Sequence, residues 1–269
     1  MSPLVYTLLS LVACSRCEGG SPCEVESGQY YVVEPDGWDG DAPLPVAVHF
    51  HGWTGHPAQY YTNPDVTEPF SDAGMLLVLP EGIDTTWTIH NMGLQGSERD
   101  EVAFVEEVLA DVRERYPVDD DRVFVSGFSL GASLAHVVAC ELGGNQLTAA
   151  SPMSGGFWEP VPATCAGPPV PICHIHGLND TTWPMEGREV SEGDAVGQQV
   201  PVEEDIAMWR AHNGCSETSR EEVMGSLTCT IWDDCTSGSV VELCVHDGGH
   251  ERIDGWVERE VAWFDRFSP

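Results

Sequence analysis

Residues 122–140 read RVFVSGFSLGASLAHVVAC. A short β-branched and aromatic run leads into a serine set between two glycines, then into a segment with helical apolar spacing. A buried strand that turns at once into a helix commits its next strand to run parallel, because the helix carries the chain back across the sheet. This stretch alone narrows the chain to layered α/β architectures. It also raises a chemical question about Ser129. A sharp strand-to-helix turn can present a nucleophile, yet a glycine-rich turn with a capping serine carries the same letters.

The alternation recurs along the chain. Strands are predicted at 29–33, 45–50, 74–80, 122–127, 149–154 and 171–176, with two late candidates in CTIWDD and VVELCVHD. Helices are predicted over 97–116, 129–140, 202–212 and 254–267. In the first of these Ser97 is the expected cap with Asp100 three residues on, and Val102, Val105, Leu109 and Val112 share a face. There is no internal repeat. The expected fold is α/β, with a mostly parallel central sheet, helices on both faces and a single domain, which 269 residues suffice to build.

The charge excludes whole classes of partner. There are 44 Asp plus Glu against 11 basic residues, all of them arginine, for a net charge of −33. No basic footprint for nucleic acid exists, and charge-driven binding to an anionic membrane is excluded with it. The acidity reads as a solvated coat that maintains solubility.

Ten cysteines point to an oxidising compartment and several disulfides. Cys14 and Cys17 form a CxxC with no second pair and no nearby histidine, so a zinc site is not expected there. Cys17–Cys23 and Cys229–Cys235 are candidate local bridges. The apolar run at 4–13 is too short to span a bilayer and suits a signal peptide. Leu11-Val12-Ala13-Cys14 also resembles the cleavage box of bacterial lipoproteins, although no basic residue precedes the run. Export is therefore expected, as a secreted, periplasmic or Cys14-lipidated surface protein of a bacterium. If Cys14 carries lipid, nine cysteines remain and at least one lacks a partner in the chain. The expected division is 1–13 as signal peptide, 14–27 as a Cys/Gly/Ser-rich tether and 28–269 as the catalytic domain.

Ligands of a parallel α/β sheet gather at the carboxyl ends of its strands, so residues just past each strand carry the chemistry. A serine attacks only when a base takes its proton and an acid orients that base. Asp180, in HIHGLNDTTWP, follows the 171–176 strand; an Asx-turn is the alternative reading. His246 and His250 both follow the last strand. His250 is preferred, because Asp247-Gly248-Gly249 frees it to reach over the sheet edge while His246 ends the strand. His136, His174 and His176 are expected to pack or hydrogen-bond. The N–H groups of Leu130 and of Trp53, in HFHGWTG, are candidate donors to an oxyanion. Trp87 and Trp183 are candidate substrate walls, with Met92 and the 85–95 loop completing the pocket, although most tryptophans pack in cores.

HGWTG, the LPEG and TTW segment at 79–87, the SERDEVAFVEEVL helix, VDDDRVFVSGFSLGAS, HIHGLNDTTWP and GGH together resemble, in order and spacing, a known family. It is that of the secreted α/β-hydrolase esterases related to polyhydroxybutyrate depolymerases, feruloyl esterases and acetylxylan esterases, over residues 28–266. The resemblance implies an α/β-hydrolase fold with Ser129 as nucleophile, Asp180 as acid and His250 as base. It implies hydrolysis of carboxylic esters, either feruloyl or acetyl esters of polysaccharides or hydroxyalkanoate polyesters and oligomers, with no cofactor. Two departures stand out: Glu251-Arg252 replaces the family's usual Trp-Pro after the histidine, and no extra polymer-binding domain is visible. A serine peptidase of the same fold and an inactive surface-binding module remain as alternatives. Aminoacyl amides against acetyl or feruloyl esters separate the first, and fluorophosphonate labelling of Ser129 separates the second.

Overall fold

The computed structural model describes residues 16–17, 20–94, 98–192 and 195–268. The strands are β1 (Cys23–Val25), β2 (Gly28–Val33), β3 (Leu44–Phe50), β4 (Leu76–Pro80), β5 (Gly93–Leu94), β6 (Val118–Phe128) and β7 (Ala149–Met153). They continue with β8 (Ile172–Gly177), β9 (Glu189–Glu192), β10 (Ala195–Gln198), β11 (Arg220–Met224), β12 (Leu227–Trp232) and β13 (Val241–His246). The helices are α1 (Ala58–Tyr61), α2 (Pro64–Asp72), α3 (Glu101–Arg115), α4 (Leu130–Leu142), α5 (Val202–Asn213) and α6 (Trp256–Asp265).

Ten strands form one sheet in the order β1-β2-β4-β3-β6-β7-β8-β13-β12-β11. From β4 to β13 every neighbouring pair is parallel, and antiparallel strands close both edges. The central strands are rich in buried apolar residues because both faces are covered, although β6 opens with the polar run Asp119–Arg122 and β3 and β8 carry buried histidines. On β3 and β6, Val46, Val48, Phe50, Val123 and Val125 join one core with Phe104 of α3, Leu134 of α4 and Trp209 of α5. Ala47 and Phe124 point the other way, into a second core with Phe70 of α2 and Trp263 and Phe264 of α6. A separate three-stranded sheet, β5-β10-β9, stands beside this body. No described helix is long and apolar enough to cross a membrane.

Several expectations need correction. Helix α3 begins at Glu101, capped by Asp100, whose Oδ1 accepts from the Ala103 N–H at 3.0 Å. Ser97, the expected cap, lies outside the described residues, as do the signal segment and Cys14. The expected tether over 14–27 is part of the sheet at its end: β1 pairs with β2, and Cys17 bonds Cys23. Cys229 does not bond Cys235. It faces Cys244 across the antiparallel β12–β13 ladder and bonds there, while Cys235 bonds Cys215 across an isolated bridge. Strand register, invisible in sequence spacing, sets both pairings. Cys140 bonds Cys165, and Cys173 is a buried free thiol.

Candidate active site

The loops after β3, β6, β8 and β13 leave the sheet at one edge, and each delivers one part of a site. Ser129 lies between β6 and α4 with φ 58° and ψ −122°, a conformation that L side chains rarely hold. Two close approaches enforce it. A Cβ on Gly127 would strike the Gly131 carbonyl, and one on Gly131 would strike the Phe50 carbonyl, so the turn exists only with glycine at both places. The Ser129 N–H is tied to the Met153 carbonyl at 2.9 Å, which fixes the turn against β7.

His250 reaches over from the loop after β13. Its Nε2 lies 2.8 Å from the Ser129 Oγ, and its Nδ1 lies 2.7 Å from the Asp180 Oδ2. A carboxylate only accepts, so the ring proton sits on Nδ1, and Nε2 accepts from the serine hydroxyl. His246 ends β13, and its Nδ1 accepts from the Gly248 N–H at 3.1 Å, so it serves the turn that projects His250. Burial pushes the Asp180 carboxyl up. Hydrogen bonds from His250 and from the Trp183 N–H outweigh that, and its pKa settles below the usual carboxylate value. Asp180 Oδ1 also accepts from Thr182 at 2.8 Å, closing an Asx-type turn, so the turn and the acid are one structure.

Behind Asp180 runs a buried line of rings. The Trp209 indole donates to His136 Nδ1 at 2.9 Å, and His136 Nε2 meets His174 Nδ1 at 3.0 Å. His174 Nε2 meets His176 Nδ1 at 2.9 Å, and His176 Nε2 meets the Trp183 carbonyl at 2.8 Å. An indole N–H can only donate, and a carbonyl can only accept. Every ring in the line therefore holds its proton on Nε2. Burial keeps all three neutral, driving His136 to about 3 and lowering His174 and His176 as well. The expectation of packing and hydrogen-bonding roles for these histidines describes them well, and the line braces the loop that carries Asp180.

The loop after β3 lies against the turn on its other side: a Cβ on Gly52 would sit 3.3 Å from the Ser129 Cβ. Among the described residues, the backbone N–H groups of Trp53 and Leu130 enter no backbone hydrogen bond, leaving both available beside Ser129. A cleft of about 100 Å³ opens between Ser129 and Leu130 on one side and Trp53, Met92, Trp158 and Trp183 on the other. Trp183 and Trp158 meet edge to face at 5.5 Å. Val190 of β9 also lines it, so the small sheet supplies a wall.

Trp87, expected as a substrate wall, is not one. It is fully buried against Phe50 and His51, and its indole donates to the His51 carbonyl at 2.7 Å. It holds the β3 loop in place from beneath. Trp158 takes the wall position instead. It follows the Ser154-Gly155-Gly156 turn after β7, and its place past a central strand was the available signal. Among the described residues one cluster, Cys173, Glu242 and Cys244, has metal-ligand spacing. Cys244 is spent in a disulfide and Glu242 is paired with Arg259 and Arg266, so the chemistry is not that of a metal site.

No protein-family model matches the chain. A solved acetyl xylan esterase from Aspergillus awamori superposes with a TM-score of 0.62 at 16% identity, over 93% of this chain and all of that one. That likeness concerns the fold. Probable feruloyl esterase C of Aspergillus niger is 25% identical over 283 residues, covering 97% of this chain and 95% of the relative. The chain has an α/β-hydrolase fold and is similar in sequence to the feruloyl esterases. Feruloyl esterase B of Piromyces equi is 23% identical over 237 residues, which is 82% of this chain but only 42% of that longer protein. The chain thus spans less than half of that relative and nearly all of the Aspergillus niger one.

Proposed function

We infer that the protein is a serine hydrolase of carboxylic esters, and that Ser129, His250 and Asp180 carry the reaction. The supporting observation is the unbroken hydrogen-bond line from Asp180 through His250 to a serine held on a strained turn. As an ester carbonyl enters, His250 Nε2 takes the Ser129 proton and Oγ bonds the carbonyl carbon. Asp180 holds the ring in the required tautomer and steadies the imidazolium. The Trp53 and Leu130 N–H groups receive the charge that grows on the carbonyl oxygen. His250 then passes the proton to the leaving alcohol, and water, activated by the same nitrogen, releases the acid.

Trp53, Met92, Trp158 and Trp183 make an apolar, largely aromatic wall for the acyl half. With feruloyl esterases among the relatives, a hydroxycinnamoyl or short acyl ester of a polysaccharide is the favoured substrate, and hydroxyalkanoate esters are the second. A panel of feruloyl, acetyl and hydroxybutyryl esters tests this: activity on feruloyl or acetyl esters supports the reading, and activity on aminoacyl amides alone overturns it.

Export is the companion proposal. Four disulfides form and persist in an oxidising compartment. Residues 1–13 act as the leader and residues from 28 onward as the catalytic domain, with lipid on Cys14 as the finer form. Mass spectrometry of the mature N-terminal peptide decides it: an acylated Cys14 supports the anchor, and an uncleaved Met1 peptide overturns the leader.

A further inference from the structure

An ester has two halves, and the two flanks of Ser129 differ in chemistry. The cleft walled by Trp53, Met92, Trp158 and Trp183, with Thr182, Arg188 and Gln199 at its rim, takes one half. The leaving alcohol must lie beside His250, because that ring returns the proton to its oxygen. On this flank the Phe128 ring lies 5.1 Å from the His250 ring, and Arg252 covers Phe128 with its guanidinium carbon 5.3 Å from the ring centre. The same guanidinium stands 5.4 Å from Tyr60 and 5.8 Å from Trp256, and its Nη1 donates to the Tyr60 hydroxyl at 3.0 Å.

Arg252 is exposed, yet it forms no ion pair among the described residues. Of the chain's 11 arginines, Arg99, Arg113, Arg115, Arg122, Arg210, Arg220, Arg259 and Arg266 hold carboxylates, while Arg16, like Arg252, donates one hydrogen bond and lies over aromatic rings, but far from Ser129's loops, against Trp38 and Tyr116. A guanidinium has five N–H donors in one plane, and a single hydrogen bond is made here. Three aromatic neighbours hold the group while the remaining donors stay open to a forked acceptor.

We propose that Arg252 determines specificity on the leaving-group side by binding a carboxylate carried by the alcohol half of the ester. The proposal rests on the esterase reading of Ser129. A net charge of −33 repels anions at long range, so the preference arises from contact rather than steering. Two sources carry such a carboxylate: the acid end of a hydroxyalkanoate oligomer, and an acidic sugar.

Matched substrate pairs test it. One pair is 3-(butyryloxy)butanoate and its methyl ester, and the other is an O-acetylated methyl uronoside and its methyl ester. In each pair the quantity read is the ratio of kcat/KM for the free acid to that for the neutral ester. The expected ratio is about tenfold in at least one pair, the scale of one charge-assisted contact, and the responding pair identifies the source. Arg252→Gln should bring that ratio to about one, whereas Arg252→Lys, which keeps the charge but not the fork, should retain part of it. A wild-type ratio of one or less in both pairs, or a ratio untouched by Arg252→Gln, overturns the proposal while the esterase reading stands. Failure of the wild-type protein to hydrolyse both pairs and p-nitrophenyl acetate overturns the esterase reading and this proposal with it.

Discussion

Three residues before Ser129, inside β6, a second serine meets a second histidine near a second carboxylate. Ser126 Oγ lies 2.8 Å from His49 Nδ1, and the Glu260 Oε2 stands 3.9 Å from that nitrogen. Residue types and spacing come close to those of Ser129, His250 and Asp180, yet the two trios are chemical opposites. Ser126, His49 and Glu260 are all buried. Burial drives His49 down to about 3 and pushes Glu260 well above the usual carboxylate range, so burial favours the uncharged form of each. At the sheet edge Asp180 is held ionised by donors instead. The difference lies in the backbone: Ser126 is inside β6 and points into the core, whereas Ser129 sits past the strand on a turn that lifts it to the edge.

The largest expected effect follows directly. Ser129→Ala should lower kcat on p-nitrophenyl acetate by about 10⁴-fold or more, the scale seen when a nucleophile is removed. Ser126→Ala should shift Tm and leave the rate within a fewfold of wild type. Equal rate losses from the two substitutions, in protein folded by circular dichroism, would break the comparison. The acids should separate the same way. Asp180→Asn keeps shape but loses the charge that sets the His250 tautomer, and should lower kcat by about 10³- to 10⁴-fold.

A smaller effect concerns the brace behind Asp180. Trp209→Phe removes the indole N–H that fixes the direction of the His136–His174–His176 line. The rings then gain the reverse tautomer, in which His176 turns a lone pair toward the Trp183 carbonyl and Asp180. A drop in kcat on the order of tenfold with KM little changed is expected, since positioning rather than binding is lost. Nitrogen NMR of labelled histidine should show protons on Nε2 at all three rings of the wild type and mixed tautomers in the variant. A wild-type proton on Nδ1 of any of them would contradict the derived direction.

Ser129, Asp180 and His250 are legible in the sequence for a reason the fold makes plain. Parallel sheets collect loops at one edge, so three residues that each follow a strand are brought together by topology. The parallel core is legible because burial on both faces leaves short, mostly apolar runs, broken by few polar residues such as His49 and Ser126. Other features depend on long-range contacts. Trp87 and Trp158 both follow strands, and only the His51 carbonyl beneath one of them decides that Trp87 turns inward. The strands of the β5-β10-β9 sheet are two to four residues long, too short for a periodicity to mark them. Helix α2 carries Pro69 inside it, which argues against a helix until packing of Val66 and Phe70 is known. The Cys229–Cys244 bond follows from register alone.

The smallest effect is a contrast in pH dependence within the buried trio. His49 and His136 titrate near 3 and His51 near 4 when folded, and His174 and His176 are also depressed. In the unfolded chain these rings bind protons below about 6.5, so the folded state loses stability as pH falls from there. Thermal melts should show Tm declining from pH 6.5 toward pH 4, with His49→Gln shallower than wild type. Glu260 has the opposite sign. Its folded pKa is raised, so its contribution is fully present below the unfolded value of about 4.3 and is lost as pH climbs toward the folded one. Glu260→Gln removes that loss, and the difference in Tm between variant and wild type should grow as pH rises from 4.5 to 7. A difference that stays flat across this range would mean that Glu260 is ionised in the core. The buried trio would then share the charged carboxylate that otherwise sets the edge trio apart.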